Sequence, residues 1–165
     1  MIRYYYLFIL LIIGCNLKNN QDNKSSNDLK FDALSSDKTG VYFNNKLRSD
    51  SDMNIIEYLY YYNGGGVGIG DINNDGFDDI YFSGNEVRDE LYLNQGNMVF
   101  KNITESAGLD SEGYWSNGVS MADVNNDGLI DIYVSTVSDY KNLKGHNRLY
   151  INNGDLTFTE KSKDV

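Results

Sequence analysis

The stretch Val67-Gly68-Ile69-Gly70-Asp71-Ile72-Asn73-Asn74-Asp75-Gly76-Phe77-Asp78-Asp79-Ile80-Tyr81-Phe82-Ser83 recurs 52 residues later as Val119-Ser120-Met121-Ala122-Asp123-Val124-Asn125-Asn126-Asp127-Gly128-Leu129-Ile130-Asp131-Ile132-Tyr133-Val134-Ser135. The match continues from Leu91-Tyr92-Leu93-Asn94 to Leu149-Tyr150-Ile151-Asn152, and from Phe100 to Phe158, at an offset grown to 58. The six extra residues of the second copy fall in the polar stretch 137–147, which reads as a longer loop. Self-similarity at a fixed period marks a repeated supersecondary unit.

Each copy reads as four short strands. They are 67–71, 79–83, 90–94 and 98–102 in the first, and 119–123, 131–135, 148–152 and 156–160 in the second. Short apolar runs divided by Asn, Gly and Asp are strand signals. Asn94-Gln95-Gly96-Asn97 and Asn152-Asn153-Gly154-Asp155 read as tight hairpins with a glycine for positive φ. A four-stranded unit with a period in the fifties points to a β-propeller blade, although a two-sheet sandwich could use the same strands. The first strand alternates small and apolar residues (Gly68 and Gly70, then Ser120 and Ala122), as a crowded innermost strand requires. The second is apolar on both faces, as a strand between neighbouring blades would be. The expectation is an all-β fold: a partial β-propeller of two four-stranded blades, 67–118 and 119–165. A propeller takes at least four blades, so the chain reads as the N-terminal part of a longer one.

The first turn of each copy carries the chemistry. Asp71, Asn73 and Asp75 stand at positions 1, 3 and 5, Gly76 at 6, the Phe77 carbonyl at 7 and Asp79 at 9. The second copy repeats this with Asp123, Asn125, Asp127, Gly128, the Leu129 carbonyl and Asp131. Calcium takes six to eight hard oxygens from carboxylates, amides and carbonyls, whereas magnesium keeps several waters and zinc prefers nitrogen or sulfur. Two Ca2+ sites are therefore expected, with a structural role. An EF-hand is excluded, because position 12 is Phe82 or Val134 rather than glutamate and a β-run follows.

The N-terminus is a separate matter. One basic residue, Arg3, precedes a short apolar run ending Ile12-Ile13-Gly14-Cys15. That is a signal-peptide layout, too short for the roughly 20 residues of a membrane span. Residues 1–14 read as a lipoprotein signal peptide, with Cys15, the sole cysteine, as the lipidated residue. Residues 15–29 are a polar tether, and 30–66 a leader that packs on the first blade. Membrane contact is expected only through the lipid at Cys15. The net charge of −10 argues against nucleic acid, whose phosphates need a basic face. Fourteen tyrosines, sixteen glycines and no proline suit many short strands with glycine turns.

The Asp-x-Asn-x-Asp-Gly-x-x-Asp-Ile loops resemble the FG-GAP/VCBS repeats of integrin-α-like β-propellers. A closer resemblance, to bacterial VCBS-repeat lipoproteins related to cartilage acidic protein and to ASPIC/UnbV-domain proteins, rests on further motifs. These are Tyr62-Asn63-Gly64-Gly65-Gly66-Val67, Leu91-Tyr92-Leu93-Asn94, Ile103-Thr104-Glu105-Ser106-Ala107-Gly108 and Trp115-Ser116-Asn117-Gly118-Val119. The resemblance implies a calcium-stabilised propeller on the outer membrane or cell surface of a Gram-negative bacterium. Its partner would be an extracellular protein or glycan.

No catalytic residues are expected. The single histidine, His146, reads as a solvated loop residue, and Asp89 and Glu90 as the solvated start of a strand. The alternative is part of a carbohydrate-active enzyme, a lyase or hydrolase, or of a glycan-uptake complex, with its active site outside this chain. Tyr58, Tyr60, Tyr61, Tyr62 and Trp115 read as strand-edge packing, with a sugar-stacking platform as the alternative.

Overall fold

The computed structural model describes residues 31–162 except Asp139, Asn142 and Lys144. The signal peptide, Cys15 and the tether lie outside these residues. Two four-stranded antiparallel sheets are present, each in simple meander order. The first runs β1 (Val67–Gly70), β2 (Asp79–Phe82), β3 (Glu90–Asn94) and β4 (Phe100–Asn102). The second runs β5 (Ser116–Ala122), β6 (Asp131–Thr136), β7 (Arg148–Asn152) and β8 (Phe158–Glu160). These are two blades of a partial β-propeller.

Three strand starts differ from the sequence reading, while the ends agree to within one residue. β4 and β8 begin at Phe100 and Phe158 rather than at Met98 and Leu156. Met98 (φ 60°) and Leu156 (φ 66°) sit in the left-handed region and extend the hairpin loops, which Gln95 N–H to Val99 O and Asn153 N–H to Thr157 O close. β5 begins at Ser116 rather than Val119, because Ser116 pairs with Thr136 across an irregularity in register before Gly118.

Register decides which residues fill the core. Tyr81 faces Gly68 on one side and Leu91 on the other, so these three share the face of blade 1 turned toward blade 2. Tyr81 and Leu91 are buried there with Ile132, Val134 and Tyr150 of the second blade. The inner strands approach closely: a Cβ on Gly68 would lie 2.9 Å from Met121 Sδ and 3.1 Å from Val119 Cγ2. The small residues of β1 are thus the hollows that receive the apolar side chains of β5. Val67, Ile69, Ile80 and Phe82 face away from blade 2. Part of that face is covered by the leader, where Phe43 stacks on Phe82 at 4.9 Å and Tyr42 N–H donates to the Tyr92 hydroxyl. Asn45 and Asn85 exchange two hydrogen bonds, of 2.7 and 2.9 Å. The leader also holds one helical turn, α1 (Ser36–Thr39), ended by Gly40 at φ 77°.

A buried ion pair crosses the blade junction. Arg148 at the start of β7 is fully buried, and its Nη2 donates to Asp89 Oδ2 at 2.6 Å and to Ser116 Oγ at 2.7 Å. Nη1 donates to Asp110 O and the Tyr150 hydroxyl, both at 3.0 Å. Asp89 also accepts from the Tyr81 hydroxyl and from Gly84 N–H, each at 2.8 Å. The reading of Asp89 as solvated is therefore wrong: it is 1% exposed and joins the two blades.

Burial drives the Tyr81 hydroxyl well above its usual 10.0 and pushes Tyr150 up to about 12. An unfolded tyrosine ionises near 10, while these two resist ionising in the fold. Their contribution is fully present below pH 10 and is lost as pH rises through the folded values. The urea midpoint is expected to fall steeply between pH 10 and 12, and less steeply in Tyr150→Phe; an unaltered slope in the variant would contradict this.

Candidate metal-binding loops

Both acidic loops join the inner strand of a blade to its second strand, and both close in the same way. Asn74 (φ 58°) and Asn126 (φ 62°) take the left-handed region at position 4, as do Gly76 (φ 88°) and Gly128 (φ 86°) at position 6. Asparagine and glycine adopt that region most readily, which is why the chain can reverse twice within so few residues.

The reversal turns backbone N–H groups onto the carboxylates. Asp71 accepts from Asp75 N–H at 3.1 Å and Gly76 N–H at 2.8 Å. Asp123 accepts from Asn126, Asp127 and Gly128 N–H at 2.6, 3.2 and 2.9 Å. Those donors hold the Asp123 carboxyl below its usual value, the Gly128 bond contributing most. At position 5, Asp75 Oδ1 accepts from Phe77 N–H, and Asp127 Oδ1 from Leu129 N–H, each at 2.8 Å. Asn73 and Asn125 donate to the second oxygens of the same aspartates, at 2.9 and 2.8 Å.

Position 9 is different. Asp79 and Asp131 are buried, and both oxygens of each are held by main-chain donors. Asp79 accepts from Ile72 N–H at 2.9 Å and Asn94 N–H at 2.7 Å. Asp131 accepts from Val124 N–H at 3.0 Å and Asn152 N–H at 2.8 Å. Each ties the start of its loop to the end of the third strand. Burial raises the Asp79 carboxyl above the usual range; the two N–H donors counter this, and the charges of Asp75 and Asp71 add to the rise. The charges of Asp75 and Asp71 thus bear on Asp79 in the unfavourable sense that a cation would relieve.

No three His, Cys, Asp or Glu side chains among the described residues converge as a ready-made metal cluster. The donor set nonetheless fits a hard cation, since carboxylate, amide and peptide oxygens stand at positions 1, 3, 5, 7 and 9 of both loops.

Asn94 and Asn152 were legible only as hairpin residues, yet they belong to these loops. Asn94 Nδ2 donates to Asp78 O at 2.8 Å and Asn152 Nδ2 to Ile130 O at 3.1 Å. The signal was their equivalence in the repeat.

The other singled-out residues lie away from the loops. Tyr61 and Trp115 are buried against each other, ring centroids 5.6 Å apart, and Tyr58 packs edge-on to the same indole. Tyr61 sits in a turn and Trp115 directly before β5, and Trp115, 1% exposed, presents no platform to a sugar. His146 is exposed, its Nε2 2.9 Å from the Tyr114 hydroxyl and 3.5 Å from Glu160 Oε1.

Comparison with known proteins adds two findings. The family described as FG-GAP-like repeat matches residues 71–134, from the first residue of loop one into β6. Cartilage acidic protein 1 of Mus musculus is 36% identical over 88 residues, covering 53% of this chain and 13% of that protein. The Xenopus tropicalis protein of that name is 32% identical over 103 residues (61% and 15%), and that of Homo sapiens 34% over 91 (55% and 13%). This chain spans 13 to 15% of the length of these relatives.

Proposed function

On the premise that this chain is an FG-GAP-like repeat protein, we propose that it is a calcium-stabilised propeller module. It binds an extracellular protein or glycan and is not itself an enzyme. It is exported and held at the outer membrane or cell surface by a lipid on Cys15. The observation that carries the calcium reading is the duplication of one oxygen-donor arrangement in two loops closed by equivalent hydrogen bonds. The residues that would hold the ions are Asp71, Asn73, Asp75, the Phe77 carbonyl and Asp79, then Asp123, Asn125, Asp127, the Leu129 carbonyl and Asp131.

A cation bound to the folded state alone stabilises it by about 2.7 kcal/mol per site at a hundredfold excess over Kd. Calcium is therefore expected to raise the melting temperature by on the order of 10 °C. A chelator should reverse the rise, and the double variant Asp75→Ala/Asp127→Ala should abolish it. An identical melt with calcium and with chelator would overturn the metal reading. Retention on immobilised glycans or surface proteins without product release supports binding; released products would move the reading to an enzyme.

A further inference from the structure

The two loops are wired to each other. Asn152 sits at the end of β7, buried, with its amide between the two blades. Its Nδ2 donates to Ile130 O in loop two and, at 2.8 Å, to Ile72 O in loop one. Its own backbone N–H holds Asp131 Oδ1, while Ile72 N–H holds Asp79 Oδ2. A continuous path thus runs from the Asp79 carboxylate through Ile72 and Asn152 to the Asp131 carboxylate. A second contact runs parallel to it, since Asn74 Nδ2 donates to Gly128 O at 3.2 Å. Asn94, the equivalent of Asn152, makes the same bonds within its own blade, to Asp79, Asp78 and Gly96. The reach to another loop is the addition made by Asn152.

We propose that the two loops are coupled through Asn152, so that calcium in loop one tightens calcium binding in loop two, and the reverse. The inference rests on the calcium reading. Its physical basis is that both loops share main-chain groups whose positions cannot be set independently. Gathering oxygens around an ion fixes residues 71–79, hence the Ile72 carbonyl, hence the Asn152 amide and the main chain that holds Asp131. Such couplings are reciprocal by linkage. Charge repulsion between two bound ions acts in the opposite sense and needs no Asn152, so a mutant cycle separates the two.

The experiment is calorimetric titration of the full chain with calcium alone. Asp75→Ala disables loop one and is exposed, so it leaves the core intact. It is expected to weaken loop two about fivefold. In an Asn152→Ala background the same change should alter loop two by less than twofold. Asn74→Gly, which suits the local φ and removes only the parallel contact, should leave an intermediate effect and guards against misfolding of Asn152→Ala. Loop two affinity unmoved by Asp75→Ala, with both sites binding in the parent chain, overturns the coupling and spares the calcium reading. An equal loss in both backgrounds shows that the effect does not run through Asn152 and also overturns it. Absence of calcium binding in the parent chain overturns both.

Discussion

Arg148→Ala lowers the folding stability by about 3–5 kcal/mol, the usual cost of leaving one partner of a buried ion pair behind. The substitution removes the four hydrogen bonds of the guanidinium to Asp89, Ser116, Asp110 and Tyr150. It also removes the packing of that group on the Tyr114 ring, 4.4 Å from its centroid. The Asp89 charge then remains between the blades with the Tyr81 hydroxyl, Gly84 N–H and Ser116 Oγ as partners. Those donors are too few to replace a cation in a low-dielectric site. Combining Asp89→Asn with Arg148→Met should recover most of the loss, since no unpaired charge is left. Urea denaturation of the two variants beside the parent checks this. A cost below about 1 kcal/mol for Arg148→Ala would place the pair in the class of solvated surface bridges.

Asp131→Asn is the second large effect, despite its near-identical shape. Both carboxylate oxygens accept from main-chain N–H groups, of Val124 and Asn152. An amide offers one acceptor and one donor, so either orientation sets an NH2 against an N–H. A buried donor left unpaired costs about 1–3 kcal/mol, and the repulsion places this variant at the upper end. The loss should appear without calcium, and one calcium should be lost in addition. Asp127→Asn gives the contrast: it is exposed, should change cation-free stability by less than about 0.5 kcal/mol, and should still weaken calcium. Equal cation-free stability for the two variants would contradict the structural role of position 9.

Much of the fold was legible because a repeat states its own unit. The paired Asp-x-Asn-x-Asp-Gly loops marked the first turn of each blade. The second strands read as apolar on both faces, and only the register showed that Tyr81, Leu91 and Ile132 lie between the blades. The position-9 aspartates read as oxygen donors to a cation, and their role as buried ties was not legible, since burial depends on where Asn94 and Asn152 N–H arrive from the third strand. The Asp89–Arg148 pair was misread because its partners are 59 residues apart and meet only through blade packing. A signal did exist: at the offset of 58, Asn147 stands for Asp89 and Arg148 for Glu90. Here the charge difference between the near-copies marks a contact between them. The Tyr58 to Tyr62 run was misread for another reason: its aromatic spacing suits a strand edge, but residues 59–62 form turns, and Tyr58 and Tyr61 pack on Trp115.

The seating of Val119 and Met121 over Gly68 has a consequence for how such chains grow. Each blade carries bulky side chains on one flank of its inner strand and small ones on the other, as Ser120 and Ala122 show again in the second blade. The unit is therefore directional, like a cup that nests only one way up. A gene segment copied in frame brings both halves of its own junction with it, so duplication yields a compatible neighbour before any further substitution. Nesting in the opposite sense would set bulk against bulk. Tandem gain of blades is thus open to this architecture in one direction only, and later charge differences such as Arg148 can give each junction its own identity.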